Sequence, residues 1–356
     1  MRDKLKLTIT DDSARATALE DFRAYEIDAD LYQAADAWSI SPRAGLAVAD
    51  FARVQLSVNG QLALTGVVDS VERECSKEGR TVKLSGRDLM GLVVDQYAEQ
   101  FNFEPKITLP VLAQTLLTSV PLINVKGITY EAADPVHQEE LLAIASPGQK
   151  VFDVLKAFAS ARGLLFYALP SGQFVFGRPR STGAPRFKIT FNRSCAANNA
   201  LTGKVLQNFA ARYKKIVVHG LLQGQDEAES QQKTEAAAGS STAYKTDSEV
   251  KQTVVLKDVP LNRVYVEHEN NGAIEVRHRA NMIASRQRFE SYKLTYTVPG
   301  HSQAGRVWDI NELCEVEDDI NGVKKGAYLI YGRTFRLDKD NGPTTELRLG
   351  YPGVVL

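Results

Sequence analysis

The stretch Val54-Gln55-Leu56-Ser57-Val58-Asn59-Gly60-Gln61-Leu62-Ala63-Leu64 constrains this chain more than any other part of it. Val54, Leu56 and Val58 alternate with Gln55 and Ser57, and Leu62 and Leu64 resume the pattern. That is the period of a strand with one buried face. Asn59-Gly60 between the two runs supplies the positive φ values that a tight type I′ hairpin turn demands. An antiparallel β-sheet is therefore fixed early in the chain. Leu5, Leu7 and Ile9 alternate with Lys4, Lys6 and Thr8 in the same way. Gly66-Val67-Val68 runs on to Val71, and Lys77-Glu78-Gly79-Arg80 turns the chain into Val82 and Leu84. Short strands joined by tight turns predict a small antiparallel barrel or sandwich over the first 95 or so residues.

The period changes after Gly86-Arg87-Asp88. Leu89, Leu92 and Val93 fall at helical spacing, and Asp88 reads as an ion-pair partner or helix cap. A second helix is expected from Pro110, with Leu112, Leu116 and Val120 on one side. Ser146-Pro147-Gly148-Gln149 has the residues of a capping box, with proline at the first helical position. It predicts a capped helix over 147–162 whose stripe is Val151, Val154, Leu155, Phe158 and Ala159, stopped by Gly163. Leu164 to Ala168, the turn Pro170-Ser171-Gly172 and Gln173 to Phe176 then form a hairpin, giving a compact α/β unit.

Strand character returns over Lys215 to Gly220. The stretch 223–249 lacks almost all large apolar residues and reads as a long loop that cannot order itself alone. A helix is expected over Ala273 to Glu290, with Val276, Ala280, Ile283 and Ala284 facing inward. The last sixty or so residues are β again, through Trp308, Leu313, Val316, the turn Asn321-Gly322, Tyr328-Leu329-Ile330, Phe335 and Leu347. β-segments at both ends with α/β material between are the main organisational fact. A chain of 356 residues divides into two to four such domains.

Composition bears on function mainly by exclusion. Lys plus Arg and Asp plus Glu are both 43, so the formal net charge is zero, a poor basis for dedicated nucleic-acid binding. Cys75, Cys195 and Cys314 are too far apart for a disulfide framework or a CxxC metal site, which suits a reducing compartment. The charged, alternating start MRDKLKLTIT is not a signal peptide. No stretch approaches the roughly 18 apolar residues that span a bilayer.

A search for chemistry finds no catalytic constellation. His137, His219, His268, His278 and His301 lack zinc-hydrolase spacing, and solvated or structural roles suit them better. Glu317, Asp318 and Asp319 lead into the turn at Asn321-Gly322 and read as solvated rather than as a cation site. No nucleophile elbow or phosphate loop is present, and no glycosidase carboxylate pair can be singled out. No catalytic residue, cofactor or metal is expected. Arg277, Arg279, Arg286 and Arg288 flank the apolar stripe of the 273–290 helix. They read either as a subunit contact or as a solvated face whose stems cover the core edge. Arg212, Lys214 and Lys215 admit the same two readings.

The order of segments resembles the baseplate hub family of contractile-tailed phages, most closely the hub of Mu-like phages and prophages. It is also similar in layout to the hub portion of type VI secretion spike proteins. The resemblance is carried by VQLSVNGQLALTGVVDSVERE with TVKLSGRDLMGLVVD, by SPGQKVFDVLKAFASARGLLFYALPSGQFVF and by RVWDINELCEVEDDINGVKKGAYLIYGRTFRLDKDNG. It implies an α+β, mainly β chain: two similar small antiparallel β-barrel domains plus intervening α/β domains. On that layout 1–96 is the first barrel, 97–182 the α/β domain, 183–222 with 291–356 the second barrel, and 223–290 a flexible loop and helix-containing insertion.

The function implied is a structural hub subunit in the virion tail, assembled in the host bacterial cytoplasm. Three chains form a homotrimer, a pseudo-sixfold ring adapting a sixfold tail tube to a threefold central spike. Its partners are the spike, the tube and other baseplate proteins. DNA passes through the lumen without specific binding, and this subunit does not insert into a membrane. The chain stops at Leu356 without spike repeats, so the spike is expected to be a separate protein. Asn59 and Gly60 at the hairpin tip, and Arg277, Arg279, Arg286 and Arg288, are the expected subunit contacts. The alternatives are a host-surface tail protein binding carbohydrate or a receptor, which would need exposed aromatic platforms, and a peptidoglycan-cleaving tail enzyme.

Overall fold

The computed structural model describes residues 3–11, 15–43, 48–77, 79–99, 103, 106–131, 135–138, 145–195, 197–221, 249–256, 262–269 and 273–355. The fold is mainly β, built on one hydrogen-bonded sheet of 13 strands. Its first part comprises β1 (Leu5–Thr10), β2 (Ala16–Leu19), β3 (Phe22–Asp30), β4 (Ala37–Pro42), β5 (Arg53–Val58), β6 (Gln61–Ser76) and β7 (Gly79–Asp88). These pair in the order β3-β4-β7-β6-β5-β1-β2. The hairpin read from the Asn-Gly signal is β5–β6, with Asn59 at φ 51° and Gly60 at φ 79°. Asp88 accepts from the amides of Met90 and Gly91 at the start of α1 (Met90–Asp95), so it serves the helix end.

An α/β unit follows. It holds α2 (Leu109–Leu117), α3 (Val151–Ser160) and a three-stranded sheet of β8 (Thr129–Tyr130), β10 (Phe174–Gly177) and β9 (Leu165–Ala168). Leu112, Leu116, Leu155 and Phe158 pack on Phe166 and Phe176, whose rings stack at 4.3 Å. The helix predicted over 147–162 begins later, at Val151. Gln149 Oε1 does accept the Ser146 amide at 3.0 Å, the reciprocal half of a capping box. Gly148, however, sits at φ 82°, a left-handed conformation that a helix cannot include. The box closes a turn ahead of the helix.

The remaining strands of the large sheet are β11 (Phe187–Thr190), β12 (Thr202–Gln207), β16 (Tyr292–Pro299), β19 (Glu312–Asp318), β20 (Val323–Asp338) and β21 (Gly342–Gly350). The strand read at Lys215 to Gly220, placed with the second barrel on the sequence layout, is β13 (Lys215–Leu221). It pairs with β14 (Glu249–Val255) and β15 (Val264–Glu269) in a separate three-stranded sheet. The helix α4 (Ala273–Ser291) packs on it through Ala280 and Ala284, against Ile216 and Val218. The assignment follows from its neighbours: β14 and β15 take both backbone edges of β13 and α4 covers one of its faces, so no edge is left to join the large sheet. A minor hairpin joins β17 (Ser302–Gln303) to β18 (Arg306–Val307). Of the polar stretch 223–249, residues up to 248 lie outside the described residues.

The second part of the large sheet repeats the pairing of the first. β12-β16-β21-β20-β19 has the neighbour order of β3-β4-β7-β6-β5, and β20 also pairs with β3, joining the two parts. β6 and β20 are both 16 residues long and both follow an Asn-Gly turn. Bulges fall at matching places, between Val68 and Ser70 and between Ile330 and Gly332. Leu56 matches Val316, Trp38 matches Leu294 and Leu84 matches Leu347, all buried in one common core.

Candidate interaction surfaces

A sheet that does not close on itself leaves edges whose backbone N–H and C=O groups await partners. Among the described residues, such edges include β11, β12 and the outer half of β6, beyond the point where β5 stops. β11 is already covered. Gln303 accepts from the Lys188 amide at 2.8 Å, and the side-chain amides of Gln303 and Asn199 donate to the Lys188 carbonyl at 2.6 and 2.8 Å. The Thr190 amide donates to Asn199 Oδ1 at 2.9 Å. By contrast, among the described residues β12 pairs only with β16, and residues 70–76 of β6 pair only with β7. Lys204 and Leu206 on β12 and Glu72, Arg73, Glu74 and Cys75 on β6 are exposed. β2, also an edge, is short and exposed.

Beside β12, three large apolar side chains face solvent: Leu201 at 57%, Leu206 at 46% and Phe209 at 72% exposed. A groove of about 440 Å³ opens there, lined by Gln207, Phe209, Arg212, Leu256, Arg288, Ser291, Tyr292 and Tyr351. Arg288, one of the four helix arginines, reaches into it with its guanidinium 5.3 Å from the Tyr351 ring. Arg286 is exposed on the same helix and Arg279 is half-buried. The Arg277 side chain lies outside the described residues. Of the helix arginines with described side chains, Arg288 is the one that lines the groove.

The Asn59-Gly60 tip is held from within. Asn59 Oδ1 accepts the Lys4 amide at 2.9 Å, and its Nδ2 donates to Asp3 at 2.5 Å and to Ser302 at 3.4 Å. Gly60 meets nothing on its Cβ side. The turn therefore docks the first hairpin onto the 300–303 loop.

Sequence reading missed the polar groups buried where the parts of the fold meet. Arg333 of β20 is 1% exposed, donates from Nη2 to the Ala63 carbonyl at 2.9 Å and lies 4.0 Å from the Phe335 ring centre. Asp36, Asp88, Asp309, Thr65 and Leu169 line a void of about 10 Å³ beside it, the size of one water molecule. Burial lifts the Asp36, Asp88 and Asp309 carboxyls; the charge of Asp36 adds to it at Asp88, and those of Asp28 and Asp30 add to it at Asp36. Burial lowers Arg333, and Asp309 and Asp36 oppose that. Nearby, Arg348 binds Asp28 at 2.8 Å and Asp30 at 3.3 Å. Nothing in the strand pattern marks these residues; a charged residue at an apolar strand position, such as Arg333 before Phe335, is the one available signal.

No group of three or more His, Cys, Asp or Glu side chains suited to a metal occurs among the described residues. Asp318 is buried and accepts from Tyr296 Oη at 2.7 Å, while Glu317 pairs with Lys325 and Lys188. Both tryptophans, Trp38 and Trp308, are buried at 2% exposure.

Residues 16–88 match the family model described as Mu phage baseplate assembly protein GpP-like, N-terminal. Over 306 residues the chain is 22% identical to Baseplate hub protein gp44 of Escherichia phage Mu, covering 83% of this chain and 73% of that protein. The tail protein from Neisseria meningitidis MC58 shares the fold at a TM-score of 0.79 and 22% identity, over 100% of this chain and 98% of that one. The 43 kDa tail protein of prophage MuSo2 from Shewanella oneidensis does so at 0.76 and 18%, over 99% and 100%.

Proposed function

We propose that this chain, a relative of the Mu baseplate hub protein in sequence and of Mu-like tail proteins in fold, is a structural subunit of a contractile-tail baseplate hub. The observation that carries the reading is the internal repeat: five strands of each part of the large sheet share neighbour order and bulge positions. Two similar barrel-like parts in one polypeptide let three copies present six quasi-equivalent units. A closed cyclic assembly of that kind meets a sixfold tube on one side and a threefold spike on the other. The subunit acts through complementary surfaces and not through catalysis; its relatives are described as baseplate and tail proteins. Its partners on this reading are further copies of itself, the central spike, the tube and other baseplate proteins, within the virion tail.

Light scattering coupled to size exclusion tests this directly. A mass of three chains, with ring-shaped particles showing six projections by electron microscopy, is the expected result. A monomer at all concentrations, with and without the spike protein, overturns it.

A further inference from the structure

The repeat makes the chain's own internal junction a template for a contact it does not satisfy by itself. Matching the strand registers and bulges sets Glu26 of β3 on Lys204 of β12, and Ile27 on Val205. The same match sets Glu74 of β6 on Arg336 of β20, and Cys75 on Leu337. Within the chain, β3 pairs with the outer half of β20, from Tyr25 opposite Leu337 to Asp30 opposite Gly332. That pairing buries Tyr25, Ile27, Arg333 and Phe335. The matching segments, β12 and residues 70–76 of β6, carry no strand on those sides among the described residues, and most of their side chains are exposed. Each is therefore half of a junction whose other half is present elsewhere in the same sequence.

The charges agree with this. Across the internal junction Glu26 meets Arg336 at 3.4 Å. At the matching positions the signs are exchanged: Lys204 replaces the acid and Glu74 replaces the base. Opposite charges directly across a strand pair favour the pairing, and like charges oppose it.

We infer that β12 of one copy adds as a strand to the outer half of β6 in the next copy, with Lys204 opposite Glu74 and Gly203 opposite Cys75. The contact is head-to-tail, so repeating it generates a ring in which the junctions within and between chains alternate. The exposed Leu206 lies within this contact, next to the edge it completes. This inference rests on the proposed self-assembly of the hub and adds the surfaces that carry it.

Charge reversal and cross-linking test it together. Lys204→Glu and Glu74→Lys each place like charges across the junction, and each raises the concentration at which copies dissociate by about tenfold, while the double exchange restores it. Both side chains are exposed, so the monomer fold is unaffected, which circular dichroism checks. Independently, Lys204→Cys with Glu74→Cys in a Cys75→Ser, Cys195→Ser background forms a disulfide between copies on mild oxidation, because directly paired positions lie within its reach. A wild-type trimer that ignores the reversals and does not cross-link overturns this junction and leaves the ring reading standing. A wild-type protein that stays monomeric at every concentration and yields no cross-link overturns both.

Discussion

His301 shows how much one buried side chain can record about a fold. It is fully buried, with Tyr25 Oη 2.6 Å from Nε2 and Thr345 Oγ1 3.0 Å from Nδ1, and its ring lies 4.7 Å from that of Phe335. Its amide donates to Asp3, so one residue ties the chain's start to the second part of the sheet. Burial pushes its imidazole down to about 4, with Arg333 adding to the effect and Asp3 opposing it. The folded state thus prefers the neutral ring. Its contribution is fully present above the ordinary value near 6.5 and is lost as pH falls from there toward about 4. The raised carboxyls of Asp36, Asp88 and Asp309 have the opposite sign, since their folded forms prefer the proton, so the total pH profile conceals both. A difference measurement separates them. Between pH 6.5 and 4, denaturant titrations should show wild-type losing stability relative to His301→Gln by up to about 1.4 kcal/mol per pH unit. Parallel profiles for the two proteins would show that the ring is not held neutral.

At the scale of elements, β6 and β7 cross so closely that a Cβ has no room. A methyl on Gly86 would strike the Val67 carbonyl oxygen and come within 2.8 Å of the Trp38 ring; one on Gly66 would strike the Arg87 carbonyl. Glycine inside a strand marks this kind of approach. Gly86→Ala should lower stability by about 1–3 kcal/mol, read as a shifted denaturation midpoint, because backbone and not a flexible side-chain end must yield. An unchanged midpoint would mean the strands can separate freely. The two glycines stand in the sequence at Gly66-Val67-Val68 and Gly86-Arg87-Asp88, and the strands around them were legible because their alternation is strict. So was the Asn59-Gly60 turn, whose geometry depends on local backbone conformation alone. What lay beyond reading was long-range. Residues 215–221 look like any buried strand, and only α4 and β14 show which sheet they join. The start of α3 was misplaced because Gly148 can serve either a helix or a left-handed turn. The free edges left no signature at all, since an unpaired strand has the same sequence period as a paired one.

The whole molecule carries a duplication whose halves are not treated alike. One β3-type edge is covered by β20, and the other, β12, is left open; one long hairpin is buried at its outer half, and the other, β6–β7, projects. A monomer selected only for stability gains nothing from this asymmetry, because open edges invite unspecific pairing. The proposed ring covers both β12 and the outer half of β6 at once, and the asymmetry is then what one chain needs to be both the donor and the acceptor of a junction. The thermodynamic consequence is distinct from any contact. If only folded chains associate, assembly draws on the folded state by mass action, so thermal stability depends on protein concentration. For three chains of 356 residues, each tenfold increase should raise the midpoint by about 1 °C. Scanning calorimetry over a hundredfold range resolves that shift. The Lys204→Glu protein, held in the range where it is dissociated, should show a midpoint independent of concentration, and a slope equal to that of wild type would place the assembly contact elsewhere on the molecule.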